Sequence, residues 1–212
     1  MRILMISAEA APFAKTGGLA DVVGALPQYI DKKKFDVRVI MPYYTCIPDK
    51  YRNEFKYVHH FYMDYGMRSE GVHVGIMEYE YNGITFYFVD NEYYFKCDSP
   101  YSPDLKWDIE RFTFFCKAVL AILPVIGFRP DIIHCHDWQA GMVPVYLKTI
   151  FAGNPFFSGI RSIMTIHNLQ FQGKWDIAHV RYHSGLPDYL FTPDKLEMNK
   201  DASMLKGGLV YA

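Results

Sequence analysis

Arg2-Ile3-Leu4-Met5-Ile6-Ser7-Ala8 is an unbroken run of apolar and small residues behind one arginine, the pattern of a strand covered on both faces in a parallel sheet. The run also mimics a signal peptide, but Glu9 ends it too early for one. A loop containing Gly17-Gly18 follows. Leu19, Val22, Val23, Leu26 and Ile30 then recur at helical spacing, and Asp36 to Met41 reads as a second strand. Strand, helix and strand in that order make a βαβ unit.

The middle of the chain behaves differently. Val72 to Tyr81 alternates, Asn82-Gly83 supplies a type I′ turn, and Ile84 to Val89 returns, which predicts a hairpin inserted into the α/β pattern. Glu92 to Trp107 reads as a loop, after which Asp108 is placed to cap a helix running from Ile109 towards Gly127, with Pro124 kinking or shortening its end. Asp131 to Cys135 then reads as a buried strand, Ala140 to Phe151 as a helix and Arg161 to Ile166 as a strand. The expected fold class is therefore α/β: a Rossmann-like, mostly parallel sheet with helices on both faces and the inserted β-hairpin, binding ligands beyond the carboxyl ends of its strands. Ser203 to Ala212 reads as a helix that stops in mid-pattern, so residues 1–212 are expected to be one domain of a longer chain.

Half of the 212 residues are apolar, which suffices for a sizeable core and excludes a disordered chain. Twenty-two Lys and Arg against 23 Asp and Glu leave a net charge of −1, with no electrostatic footprint for nucleic acid or an anionic membrane. No apolar stretch approaches the roughly 20 residues that span a bilayer. Cys46, Cys97, Cys116 and Cys135 contain no C-x-x-C pair, so a zinc ribbon and a dithiol redox centre are excluded, and reduced thiols in the cytoplasm are expected. Seventeen Tyr, 16 Phe and 3 Trp suit either stacking on ligand faces or filling a core, and composition does not separate the two.

Function is expected in the loops that follow strands. In Pro12-Phe13-Ala14-Lys15-Thr16-Gly17-Gly18, two glycines allow close backbone approach, helix-start N–H groups point outward and Lys15 adds a mobile cation, a combination that suits phosphate. It is neither G-x-G-x-x-G nor a Walker A loop, because the lysine precedes the glycines, and a tight turn with a solvated lysine accounts for it as well. The strand Asp131 to Cys135 delivers His136-Asp137-Trp138-Gln139. His134 and His136 lie on one side of an extended chain, which raises a metal site with Asp137. No third nitrogen or thiolate ligand is suggested nearby, so recognition of a hydroxylated ligand, with Trp138 as an apolar platform, is the better reading. Arg161 to Ile166 delivers His167-Asn168, whose imidazole and amide suit sugar hydroxyls or, alternatively, only the local backbone. Tyr101, between Ser99-Pro100 and Ser102-Pro103, is a weak signal alone. Convergence of separate polar strand ends is the stronger argument.

Lys15-Thr16-Gly17-Gly18-Leu19 with Asp21, His136-Asp137-Trp138 and Thr165-Ile166-His167-Asn168-Leu169 resemble, in order, motifs of the bacterial glycogen synthase and plant starch synthase family. The likeness runs from residue 1 to Ala212, and Ser7-Ala8-Glu9 with Pro12 to Leu19 looks like the ADP-glucose branch. The resemblance implies the N-terminal, acceptor-side half of a GT-B glycosyltransferase whose C-terminal nucleotide-binding domain lies outside this sequence. It further implies retaining transfer of glucose from ADP-glucose to the 4-hydroxyl at the non-reducing end of an α-1,4-glucan or maltooligosaccharide, with no metal or other cofactor. It places Lys15, Gly17 and Gly18 beside the donor diphosphate, Asp21 near the donor, and Asp137, His167 and Tyr101 around the transferred glucose, with Asp137 and His167 as the catalytic candidates. Asn168 accompanies His167 by adjacency, and Trp138 completes the substrate-binding set. Gln139 stands where other members have His and is given no catalytic role. A nucleotide-sugar epimerase of similar fold and a non-catalytic glucan-binding module are the competing readings, and the 212-residue piece by itself is expected to be inactive.

Overall fold

The computed structural model describes residues 1–212. In chain order the elements are β1 (Arg2–Ile6), α1 (Gly18–Tyr29), β2 (Asp36–Pro42), α2 (Asp49–Arg52), β3 (Lys56–Met63), β4 (Val72–Tyr81), β5 (Ile84–Asp90), α3 (Glu92–Phe95), α4 (Leu105–Val125), β6 (Ile132–His136), α5 (Met142–Lys148), β7 (Arg161–Thr165), β8 (Lys174–Asp176), α6 (Ile177–Ser184), β9 (Glu197–Met198), β10 (Asp201–Ser203) and α7 (Met204–Tyr211). Seven strands form one sheet in the order β3-β4-β5-β2-β1-β6-β7. β5, β2, β1, β6 and β7 run parallel, whereas β4 is antiparallel to both its neighbours, β3 and β5. β1 lies between β2 and β6, as its apolar run requires, and Leu4, Met5 and Ile6 are buried.

Period-2 registration sorts the side chains onto two faces. Met5, Val39 and Phe86 are in register on one of them, and the Phe13 ring lies against Phe86 and Phe88 there, at 4.9 and 5.1 Å between centroids. Ile6 and Cys135 are in register on the other, where Cys135 neighbours Cys116 of α4. Phe13 also meets Tyr51, Phe55, Tyr79 and Tyr81 edge-on. Much of the aromatic content is therefore core, and it anchors the segment that leads to Gly17. All four cysteines are free, and no helix is long and apolar enough to cross a membrane.

Two expectations need correction. α4 begins at Leu105, not Ile109, because the Asp104 carboxylate accepts the Lys106 N–H at 3.0 Å and takes the capping position. Asp108 turns inward instead. The expected hairpin forms, β5 joins it to the sheet by pairing in parallel with β2, and β3 adds a third strand whose solvent-facing residues dilute its alternation. The helix expected over 140–151 is confined to Met142–Lys148 behind a 3₁₀ turn at Trp138–Ala140. Gly141 there packs against the Met204 carbonyl, where a Cβ would lie 2.2 Å from the oxygen. The small sheet β8-β10-β9 and helix α6 had no counterpart in the sequence reading.

Candidate active site

The segments that follow β1, β6 and β7 open onto one cleft of about 1020 Å³, closed on a further side by Tyr101, Ser102 and Pro103. Its first wall starts at Glu9, which is only 2% exposed. One carboxylate oxygen accepts the Thr16 backbone N–H, and the other accepts the Thr16 hydroxyl at 2.9 Å and the Tyr101 hydroxyl. Three donors offset the desolvation of a buried carboxylate and fasten the glycine loop to the Tyr101 segment. Beyond Thr16, no side chain caps α1, and a Cβ added to Gly17 or Gly18 would meet nothing within 4 Å. The first-turn N–H groups of a 12-residue helix thus lack a side-chain acceptor beside open space, where the dipole favours an anion. Lys15 Nζ lies 2.7 Å from Asp21 Oδ1 next to this loop, both side chains more than half exposed.

The second wall is built at the ends of β6 and β7. Asp137 has φ 57° and ψ −177°, backbone that only glycine adopts freely and that costs about 1–3 kcal/mol. The surrounding bonds hold it there. Its N–H donates to the Thr165 carbonyl at 2.9 Å, while Oδ1 accepts the backbone N–H of His167 at 2.6 Å and that of Asn168 at 3.4 Å. His136 Nδ1 lies 2.9 Å from His167 Nε2, and His134 Nε2 lies 2.7 Å from the Thr165 hydroxyl. The His134 and His136 rings are 4.1 Å apart, and His136 and His167 stack at 5.2 Å. Burial, then the neighbouring imidazoles, push His136 down to about 2, so it is neutral; burial and His167 lower His134.

The third side depends on a buried ion pair. Asp108 accepts the Ser102 N–H at 3.2 Å and Arg111 Nε at 2.8 Å, and Arg111 also donates to the Pro100 carbonyl. Burial raises the Asp108 carboxyl while Arg111 pulls it back. The clamp fixes both neighbours of Tyr101, whose hydroxyl is driven up by burial and by the Glu9 carboxylate and so remains a neutral donor.

Gly17, Gly18, Tyr101, Asp137, Trp138, His167 and Asn168 all line this cleft, and Lys15 and Asp21 stand beside it without lining it. Trp138 contributes little exposed surface, because Gly173 covers its ring and Phe112 meets it edge-on at 5.4 Å. The Asn168 side chain accepts the Gln170 N–H at 3.0 Å, shaping the turn after β7. Sequence reasoning overlooked Glu9, Asp108 and the bond from His136 to His167. For Glu9 a signal existed, an acid just past the end of a central parallel strand.

A family model for the starch synthase catalytic domain matches residues 2–212. Among known proteins, glycogen synthase of Lachnospira eligens is 59% identical over 99% of this chain and 43% of its own length. Glycogen synthase of Lachnoclostridium phytofermentans is 53% identical over 100% of this chain and 44% of its own length. In structure, the catalytic domain of starch synthase IV from Arabidopsis thaliana, solved with ADP and acarbose, matches the whole chain and 43% of that one, with a TM-score of 0.85 at 26% identity. The chain spans less than half the length of these relatives.

Proposed function

Because the chain belongs to the family of starch synthase catalytic domains, we propose that it is the N-terminal, acceptor-side half of a GT-B glycogen synthase. In this reading it transfers glucose from ADP-glucose to the non-reducing-end 4-hydroxyl of an α-1,4-glucan or maltooligosaccharide, with retention. The observation that carries the proposal is the joining, in one cleft, of an uncapped glycine-started helix and a carboxylate on strained backbone that accepts the backbone N–H of a histidine. The first is suited to a diphosphate and the second to a sugar.

In the reaction the bond from C1 of glucose to the diphosphate oxygen breaks, the bond from C1 to the acceptor O4 forms, and the acceptor proton leaves with ADP. Negative charge grows on the diphosphate as the bond opens. Lys15 and the N–H groups at Gly17 and Gly18 stabilise it, with further cations coming from a C-terminal nucleotide-binding domain. Asp21 holds Lys15 at the loop until the donor arrives. On the sugar side, Asp137 commits Oδ1 to the β7 loop and turns Oδ2 to the positive charge that develops at C1 or to a hydroxyl. His167, Asn168 and Tyr101 hold the glucose hydroxyls, and Trp138 shapes the wall behind them. The protein works in the cytoplasm, a setting that its four unbridged thiols suit.

The test is incorporation of labelled glucose into glycogen by the complete enzyme that contains this chain, comparing ADP-glucose with UDP-glucose. Incorporation mainly from ADP-glucose is expected. A donor sugar converted without chain growth would identify an epimerase, and glucan binding without any transfer would identify a binding module.

A further inference from the structure

The ring of His167 is held by a neighbour set back from the cleft. His136 is fully buried and lies outside the cleft lining, and its Nδ1 faces His167 Nε2 at 2.9 Å. Its other nitrogen, Nε2, has no partner within the chain. Only two arrangements of a neutral pair make this bond. In one, His136 carries its proton on Nδ1, donates to His167 Nε2 and leaves a bare acceptor buried. In the other, His167 donates and His136 buries an N–H with nothing to receive it. Orphaned buried N–H groups are the rarer of the two, so the first arrangement is favoured.

We propose that His136 is a positioning residue that locks His167 as the Nδ1–H tautomer, so that His167 presents a hydrogen-bond donor, and not a free base, to the oxygen of a sugar in the cleft. The His167 bond partner at Nε2 is then permanent, and its Nδ1, which has no partner within the chain, is the nitrogen left for a ligand. The backbone of the same residue is gripped by Asp137, so adjacent residues at the end of β6 fix both the position and the polarity of one imidazole. His134 supports the arrangement, its ring tilted by 33° against His136 at 4.1 Å between centroids and bonded to Thr165. The tautomer itself does not depend on the proposed function; its use in sugar binding rests on that reading.

Nitrogen-15 spectra of the imidazoles in the 212-residue chain read the tautomer directly. The wild type is expected to show His167 protonated at Nδ1 and bare at Nε2. His136→Phe keeps a ring but offers no donor, and His167 is expected to revert to the Nε2–H form that free histidine prefers. His136→Asn places an amide N–H near the lost Nδ1–H and is expected to restore the Nδ1–H form. His167 found as Nε2–H in the wild type overturns the proposal even if no variant folds, and so does an unchanged tautomer in a folded His136→Phe protein. In the complete enzyme, His136→Phe is expected to lower kcat/KM for ADP-glucose about tenfold, the weight of one hydrogen bond, with His136→Asn recovering most of it. A confirmed tautomer in an enzyme that transfers no glucose would leave the positioning role intact and defeat the proposed function instead.

Discussion

The two main walls of the cleft are built on opposite plans. At the ends of β6 and β7, Asp137, His136, His167 and Asn168 are joined to one another, and backbone strain at Asp137 is held by three hydrogen bonds. At the start of α1, Gly17 and Gly18 face open space, the helix has no side-chain cap, and the Lys15–Asp21 pair is exposed. The first wall is closed by bonds within the chain, and the second is left open. A rigid surface suits neutral hydroxyls, which need donors and acceptors at fixed positions. An open helix end suits a diphosphate, which brings its own charge.

The largest effect should come from removing the carboxylate of the closed wall. Asp137→Ala is expected to lower kcat of the complete enzyme about a thousandfold, measured as glucose incorporation, because the sugar side of the cleft loses the carboxylate proposed to balance the charge developing at C1. Restoration of glycosyl product by added azide would assign Asp137 as a nucleophile instead.

Glycines separate the walls next. Gly173→Ala drives a Cβ to 2.2 Å from the Trp138 ring at a φ of +55°, and is expected to destabilise the chain by about 2–3 kcal/mol in urea unfolding. Gly18→Ala meets no atom, so stability should stay within about 0.5 kcal/mol. The KM for ADP-glucose should rise about tenfold as the added methyl occupies ligand space. A large stability loss at Gly18 would mean that the open wall is packed after all.

Strain offers a narrower test. Asp137→Gly and Asp137→Ala lose the same carboxylate, yet only glycine accepts the backbone without penalty, so the glycine variant should be the more stable by about 1–3 kcal/mol.

Most of the sheet was legible because its strands carry their own signals. The run through β1, the alternation of β4 and the Asn82-Gly83 turn are local patterns, and each lies where the sequence reading put it. The start of α4 was not legible, since Asp104 and Asp108 are both eligible caps and only tertiary burial of Asp108 against Arg111 decides between them. The same holds in the site. Strand ends point to Asp137 and His167 as residues, but nothing local reveals that Asp137 adopts glycine-like backbone or that His136 bonds to a residue at the end of the neighbouring strand. Glu9 was hidden for a different reason: its donors, Thr16 and Tyr101, lie 7 and 92 residues further along the chain.

A separate effect concerns acid. In the unfolded chain imidazoles take up protons near pH 6.5, whereas folded His183 and His136 stay neutral down to about 4 and about 2. The unfolded state therefore binds more protons, and stability should be complete above pH 6.5 and fall as the pH drops through this window. Urea midpoints between pH 4 and 7 for wild type and His136→Asn check this, with a shallower fall in the variant. Smallest of all should be Lys15→Ala, which removes an exposed pair and shifts stability by less than about 0.5 kcal/mol while weakening ADP-glucose use.

The division of labour between the walls is tested most directly by titrating ADP-glucose into the nitrogen-15-labelled complete enzyme that contains this chain. The amides of Gly17, Gly18, His167 and Asn168 are expected to shift on one common isotherm, with ADP alone moving only the two glycines. Separate isotherms for the two walls, or shifts confined to residues outside the cleft, would contradict a single donor-binding site shared between them.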